Sequence, residues 1–402
     1  MPDRSLPRRV AERLRTVLFW AHLVCGVSVG LLVLLMSVTG VLLTYQRQIT
    51  AWADTRHLEA GPPAPGAERL GVEALLERVQ EQDPARPTSV RWHADAARPV
   101  EIAYGREKTL FVSGYTGEVL GSGSAGVRKF FRTVVAWHRW LGAEGEAERK
   151  AARSLTGAAN LGFLFLVVSG VYLWWPRRWT RSALRNVTLF RRGLTPKARD
   201  FNWHNVLGFW SALPLAVVVA SGVVISYPWA SDLVYRSVGE APPPRRAPGG
   251  GGGAPKAEDA LAVAGLDALA ARAEVQVGGW RSITLALEPG SEPVSFNIDR
   301  GTGGEPQKRA QLVLEREDGG VAKWEPFAAT SRGRQLRSVL RFAHTGEVAG
   351  LAGQTLAGLI SAAAAVLVWT GLALAWRRLR SWRGRTARPA NATQERGVAR
   401  VA

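Results

Sequence analysis

Six histidines occur in this 402-residue chain, and four of them, His22, His138, His204 and His344, stand at the ends of long apolar segments. An ionisable side chain at a bilayer boundary is costly without a partner, so its presence there points to function. Histidine imidazole is a common axial ligand of haem iron. Two imidazoles at each of two depths would suit two bis-histidine haems, one near each membrane face. A single boundary histidine reads first as an interfacial or hydrogen-bonded side chain. Four at matched depths, two of them in an identical repeat, favour paired ligands. His57 reads as a loop residue, and His93, in the strand-like run Val90–His93, as exposed or packed.

The apolar segments set the architecture. Thr16–Gln46, Ser154–Pro176, Phe201–Ser231 and Val348–Trp376 carry no Asp, Glu, Lys or Arg. Each exceeds the roughly 20 residues needed to cross a bilayer core. They predict a membrane α-helical fold with transmembrane helices at 17–45, 153–176, 201–230 and 348–376. The first is too long for a signal-peptide core and has no clear small-residue cleavage site before Tyr45, so it reads as an uncleaved helix.

A net charge of +19 could signal nucleic acid, but its location argues otherwise. The N-terminus 1–16, the loop 177–200 and the tail 377–402 together hold 21 basic and 4 acidic residues, or +17 of that excess. All three flank the helices on one side. This is the positive-inside pattern, which places both termini and the 177–200 loop in the cytoplasm. The lipid bilayer accounts for the charge, and a nucleic-acid partner is not needed. The segments 46–152 and 231–347 then lie outside.

The chain repeats itself. Phe19, His22, Gly26, Gly40 and Tyr45 have the same spacings as Phe201, His204, Gly208, Gly222 and Tyr227. More loosely, Ser169-Gly170 before Trp174-Trp175-Pro176 matches Thr370-Gly371 before Ala375-Trp376. Each half has an even number of spans, so the repeats run parallel. A residue eighteen positions on returns to the same helix face roughly 27 Å away. Gly40 and Gly222 therefore share faces with His22 and His204 but sit at the opposite membrane side. Gly26 and Gly208, one turn beyond the histidines, leave room beside one macrocycle, and Gly40 and Gly222 beside the other. Close helix packing explains the same glycines equally well.

Depth pairs His22 with His204 and His138 with His344. His138 falls in an outside segment, 127–152, after the amphipathic run Val127–Ala136, and His344 in 332–347 after Gln335–Phe342. The remaining outside residues read as two small α+β domains, 46–126 and 231–331. In the first, a helix at Glu68–Gln82 precedes strands at Thr88–His93, Val100–Tyr104 and Thr109–Val112. In the second, a helix at Lys256–Ala273 precedes strands at Ser282–Leu287, Val294–Ile298, Gln311–Glu315 and Val321–Pro326. Ala60–Ala67 and the Gly/Pro-rich stretch 240–256 read as flexible linkers.

Other chemistries lack their residues. The lone cysteine, Cys25, rules out an intramolecular disulfide and a CxxC pair. With no C-x-x-C-H motif, any haem is non-covalent. No Gly-rich dinucleotide fingerprint follows a strand on the cytoplasmic side, and the cytoplasmic segments are too short for a flavin domain. An electron donor would be a membrane quinol or a separate cytoplasmic reductase. No Ser-His-Asp or zinc-protease motif is present.

These features resemble the PepSY-associated transmembrane family, which includes bacterial iron-regulated inner-membrane proteins and siderophore reductases. The resemblance rests on His22 with Gly26 and Gly40, on Trp137-His138-Arg139-Trp140-Leu141, and on Ser169-Gly170-Val171-Tyr172-Leu173-Trp174-Trp175-Pro176. It rests also on Trp203-His204 with Gly208, on His344-Thr345-Gly346, and on Tyr115-Thr116-Gly117-Glu118-Val119-Leu120, which looks like the end of a PepSY domain. It implies two PepSY-like extracytoplasmic domains on a four-helix core carrying two b-type haems, with the four histidines at the ligand positions. It further implies an oxidoreductase of the bacterial inner membrane that passes electrons to a ferric siderophore or another periplasmic Fe(III) complex. A second reading is a non-redox module whose PepSY domains bind a peptide or protein. That leaves the matched histidines unexplained. A transporter is a third, and the charge-free spans offer it no ion-coupling residue.

Overall fold

A computed structural model describes residues 6–105, 108–175, 180–244, 263–287 and 293–386. The helices are α1 (Leu6–Leu43), α2 (Gln46–Thr55), α3 (Val72–Gln82), α4 (Ala125–Trp140), α5 (Glu146–Trp174), α6 (Arg181–Thr188), α7 (Pro196–Ser226), α8 (Pro228–Ser237), α9 (Leu266–Gln276), α10 (Arg332–His344) and α11 (Gly350–Thr386). The strands are β1 (Ser89–His93), β2 (Val100–Tyr104), β3 (Lys108–Val112), β4 (Val119–Gly121), β5 (Ser282–Ala286), β6 (Val294–Asp299), β7 (Arg309–Leu314) and β8 (Val321–Pro326). Arg177, Arg178 and most of the linker 240–256 lie outside the described residues, as does the tail beyond 386.

The chain divides into two compact units. The first comprises the described parts of Met1–Val41, Ala136–Val223 and Ala357–Ala402, and the second Leu42–Val135 and Val224–Leu356. Four helices, those containing Val10–Leu43, Glu146–Trp174, Pro196–Ser226 and Glu347–Arg383, are long and apolar enough to cross a membrane. In the first unit they close into a ring. The small Gly162 of α5 admits Val29 and Cys25 of α1. Asn160 of α5 donates to the Val219 carbonyl of α7 at 3.0 Å, and Trp174 stacks on Phe209 at 4.4 Å. Leu215 and Val219 of α7 pack with Ile360 and Ala364 of α11. Gly30 of α1 meets Leu372 of α11. Leu31, Leu213 and Trp369 stand more than two-thirds exposed on the outside of this ring. Such apolar exposure is the surface expected of a lipid-facing bundle.

These helices outrun the apolar segments that predicted them. α1 starts at Leu6 rather than at residue 17. Hydropathy marks membrane depth, not helix ends, and Arg8, Arg9, Ala11, Glu12, Arg13 and Leu14 are all strong helix formers. Arg15 uses the extension to donate to the carbonyls of Leu173 and Trp175, where the end of α5 leaves acceptors unsatisfied.

In the second unit the strands form one antiparallel sheet in the order β4-β3-β2-β1-β5-β6-β7-β8. The two strand groups expected in separate domains are thus joined through β1 and β5, with Val90 opposite Leu285 and His93 opposite Ser282. Joining them removes two exposed strand edges. Alternation puts Val90, Ile102, Ile283, Leu285, Phe296 and Leu312 on the face covered by α3 and α9. Each is essentially inaccessible. Burying such a side chain contributes roughly 1.5–3 kcal/mol.

Candidate functional site

His22 lies on α1 and faces α5. Its Nδ1 is 2.8 Å from Ser169 Oγ. The Ser169 hydroxyl already donates to the Phe165 carbonyl one turn back, at 2.6 Å. With its only proton spent there, Ser169 can only accept, so His22 Nδ1 carries the proton. The same contact recurs between α7 and α11. His204 Nδ1 is 3.0 Å from Thr370 Oγ1 and 3.1 Å from the Leu367 carbonyl. Thr370 donates to the Val366 carbonyl at 2.8 Å, and a carbonyl only accepts. His204 is therefore an Nδ1–H donor as well.

This tautomer decides what the rings can do. A neutral imidazole protonated at Nδ1 holds its lone pair at Nε2, the nitrogen a metal takes. A partner that holds the other ring N–H fixes ring orientation and raises ligand basicity. His22 and His204 are thus held in the same way, each by a hydroxyl of a neighbouring helix.

His138, in α4, follows the same rule. Its Nδ1 is 2.9 Å from Thr39 Oγ1, and Thr39 donates to the Leu35 carbonyl at 2.7 Å. His344 is the last residue of α10, in the second unit, whereas His138 belongs to the first.

The glycines divide. A Cβ at Gly26 would find only Leu166 Cδ2, at 3.8 Å, and one at Gly208 only Leu367 Cδ2, at 3.8 Å. Both therefore face a neighbouring helix, one turn from their histidines. Gly40 lies against Ser361, with His138 Cε1 3.8 Å from where its Cβ would be. Gly222 is buried in α7. The glycines nearest the inner imidazoles are different ones. A Cβ at Gly170 would stand 3.5 Å from His22 Cε1, and one at Gly371 3.3 Å from His204 Cε1. Ser169-Gly170 and Thr370-Gly371 therefore stand against the two imidazoles, a role that the histidine spacing alone does not show. Their recurrence in α5 and α11 was the available signal.

The other two histidines stay apart from this arrangement. His57 is exposed after α2. His93 is buried in β1, with Nε2 3.0 Å from Glu101 Oε1. Burial, which would raise the Glu101 carboxyl, is outweighed by the His93 hydrogen bond and by the charges of Arg91, His93 and Arg98, so Glu101 is held below its ordinary value.

A closed ring of four membrane-length helices carrying inward histidines defines a multi-pass membrane protein. The family model described as the PepSY-associated TM region matches residues 19–378, nearly the whole chain. The chain belongs to this family. No curated protein matches it.

Proposed function

We propose that the chain is an inner-membrane di-haem b-type cytochrome, an oxidoreductase that carries electrons across the membrane to an extracytoplasmic ferric complex in iron uptake. The observation that supports this best is the matched pair His22 and His204. Each is fixed through Nδ1–H by a hydroxyl whose own proton is committed. The donor set suits an iron porphyrin: two neutral imidazoles with Nε2 as the basic nitrogen, in an apolar bundle.

Haem b, when bound, supplies a one-electron ferric/ferrous couple. His22 and His204 would hold one haem. Sequence depth assigns His138 and His344 to a second. Bis-histidine ligation leaves no open iron position, which favours outer-sphere electron transfer over oxygen chemistry. Ser169, Thr370 and Thr39 hold the ring protons at Nδ1 and so keep the ligand nitrogens basic. The basic segments support a topology with both termini in the cytoplasm and the two strand-rich, PepSY-like halves of the sheet in the periplasm, as parallel repeats of one plan. The acceptor is an Fe(III) complex, and the resemblance to siderophore reductases favours a ferric siderophore. Reduction to Fe(II) softens the metal and weakens its hold on hard oxygen donors.

Absorption spectra of the detergent-purified protein, oxidised and dithionite-reduced, test the reading. Soret and α bands of low-spin haem b are expected. His22→Ala or His204→Ala should remove one haem and spare the other, and so should His138→Ala or His344→Ala for the second. Absence of both bands would sink the cytochrome. Stopped-flow oxidation of the reduced protein by ferric siderophores tests the acceptor.

A further inference from the structure

Beside His204, a groove of about 290 Å³ opens between α7 and α11. Its walls are Trp203, Trp369 and Val366, and its polar end is formed by Asp200, Arg199 and Thr370. Thr370 is the same residue that holds His204 Nδ1 at 3.0 Å, and Trp203 is the histidine's chain neighbour. Trp203 is 40% exposed and Trp369 67% exposed, so the aromatic walls open sideways, toward lipid on the membrane reading. Asp200 is only 4% exposed. It sits 2.5 Å from Arg377 Nη1 and 3.1 Å from Arg199 Nη2.

We propose that this groove binds a membrane quinol and that the quinol is the electron donor, an inference that rests on the cytochrome reading above. Four observations converge on that occupant. Flat indole walls suit a flat ring, and aromatic pairs gain from offset stacking. A lateral opening admits a ligand dissolved in the bilayer. The Asp200 carboxylate and the Thr370 hydroxyl among the lining residues can accept a hydrogen bond from a neutral hydroxyl. The basic segments 1–16, 177–200 and 377–402 also carry no dinucleotide fingerprint for a soluble donor. Oxidation of a quinol to the quinone breaks two O–H bonds and releases two electrons and two protons. A haem held by His22 and His204 would supply the one-electron acceptor, and the protons would leave to water at the basic face.

The test uses the full chain in lipid nanodiscs with a short-tailed azidoquinone as photoaffinity probe. Label should map to residues 199–203 and 365–370 and be displaced by excess unlabelled quinone but not by added phospholipid. Trp369→Leu removes an exposed wall that holds nothing else. It should weaken displaceable labelling about tenfold, the worth of one aromatic stacking partner. Asp200→Asn should weaken it as well, and the Trp369 variant decides the matter if Asp200→Asn fails to fold. In haem-loaded protein, Trp369→Leu should slow reduction by quinol and leave reduction by dithionite unchanged. Label spread evenly over the lipid-facing helices, or displaced equally by phospholipid, overturns the proposal. Mapped, displaceable label on a protein without haem bands would leave the binding site standing and remove the cytochrome. Haem bands without displaceable label would do the reverse.

Discussion

Ser169 Oγ stands 2.8 Å from His22 Nδ1 while giving its own proton to the carbonyl of Phe165. A side-chain hydroxyl that back-bonds to its own helix usually contributes little to stability. Here the back-bond removes the hydroxyl's donor capacity and makes it a pure acceptor. One proton position on α5 thereby sets which nitrogen of a ring on α1 is basic.

Ser169→Ala should therefore weaken haem retention at the His22–His204 site by about 10- to 100-fold, the usual effect of losing a ligand's outer partner. Ser169→Thr should restore it. Thr370→Val should cost less, because His204 Nδ1 keeps the Leu367 carbonyl at 3.1 Å. Haem per protein, by pyridine haemochrome, and the midpoint potential of each haem check this. Equal losses at the two positions would contradict it.

Gly371→Ala should disturb its histidine more than Gly170→Ala. The added methyl would lie 3.3 Å from His204 Cε1 in the first case and 3.5 Å from His22 Cε1 in the second. The former is tighter than ordinary carbon contact, and a close-packed interior yields little. The expected result is a tilted His204 ring and a shifted low-spin EPR signal in Gly371→Ala, with a near-normal signal in Gly170→Ala. Identical spectra from both would show that neither glycine shapes the ligand pair.

Much of this was legible in the chain. Charge-free runs marked four helices, and β-branched alternation placed strands such as Val294–Asp299 and Val321–Pro326 within a residue of where they lie. The repeat marked His22 and His204 as equivalent positions, and each meets a hydroxyl of a neighbouring helix. What pattern could not show was what each element meets. β1 and β5 alternate correctly, yet nothing local says that they pair with each other across 193 residues, as Arg91 and Thr284 do. Ser169 and Thr370 read as small polar residues suited to helix packing. Only their distances to the imidazoles give them a role. Helix ends such as Leu6 escaped because hydropathy is blind to a charged helical turn.

The sheet should lose stability in acid through Glu101. Its carboxyl is held below the ordinary 4.5 once the His93 hydrogen bond and the Arg91, His93 and Arg98 charges outweigh burial. A depressed carboxylate stabilises the fold fully above its unfolded value and loses that contribution as pH falls through the folded value. Hydrogen exchange of β1 and β2 in the full-length protein should therefore quicken as pH drops below about 4.5, after correction for intrinsic rates. Glu101→Gln should flatten that dependence while lowering stability at neutral pH. An unchanged pH profile in the variant would assign the acid sensitivity elsewhere.

Orientation is open to direct measurement because the chain has a single cysteine, Cys25. The three basic segments carry +17 of the net charge, and basic loops are retained in the cytoplasm. In a Cys25→Ala background, Ser182→Cys would report on the loop bearing α6 and Lys323→Cys on strand β8. Both positions are exposed. A membrane-impermeant maleimide should label Lys323→Cys in spheroplasts and reach Ser182→Cys only after lysis. Cys25→Ala is a mild change, since its thiol makes only a 3.5 Å contact with the Gly162 carbonyl. Labelling of Ser182→Cys in intact spheroplasts, with Lys323→Cys protected, would turn the sheet toward the cytoplasm. The groove beside His204, at the basic end, would then open near the outer face, which would contradict the proposed outward electron flow.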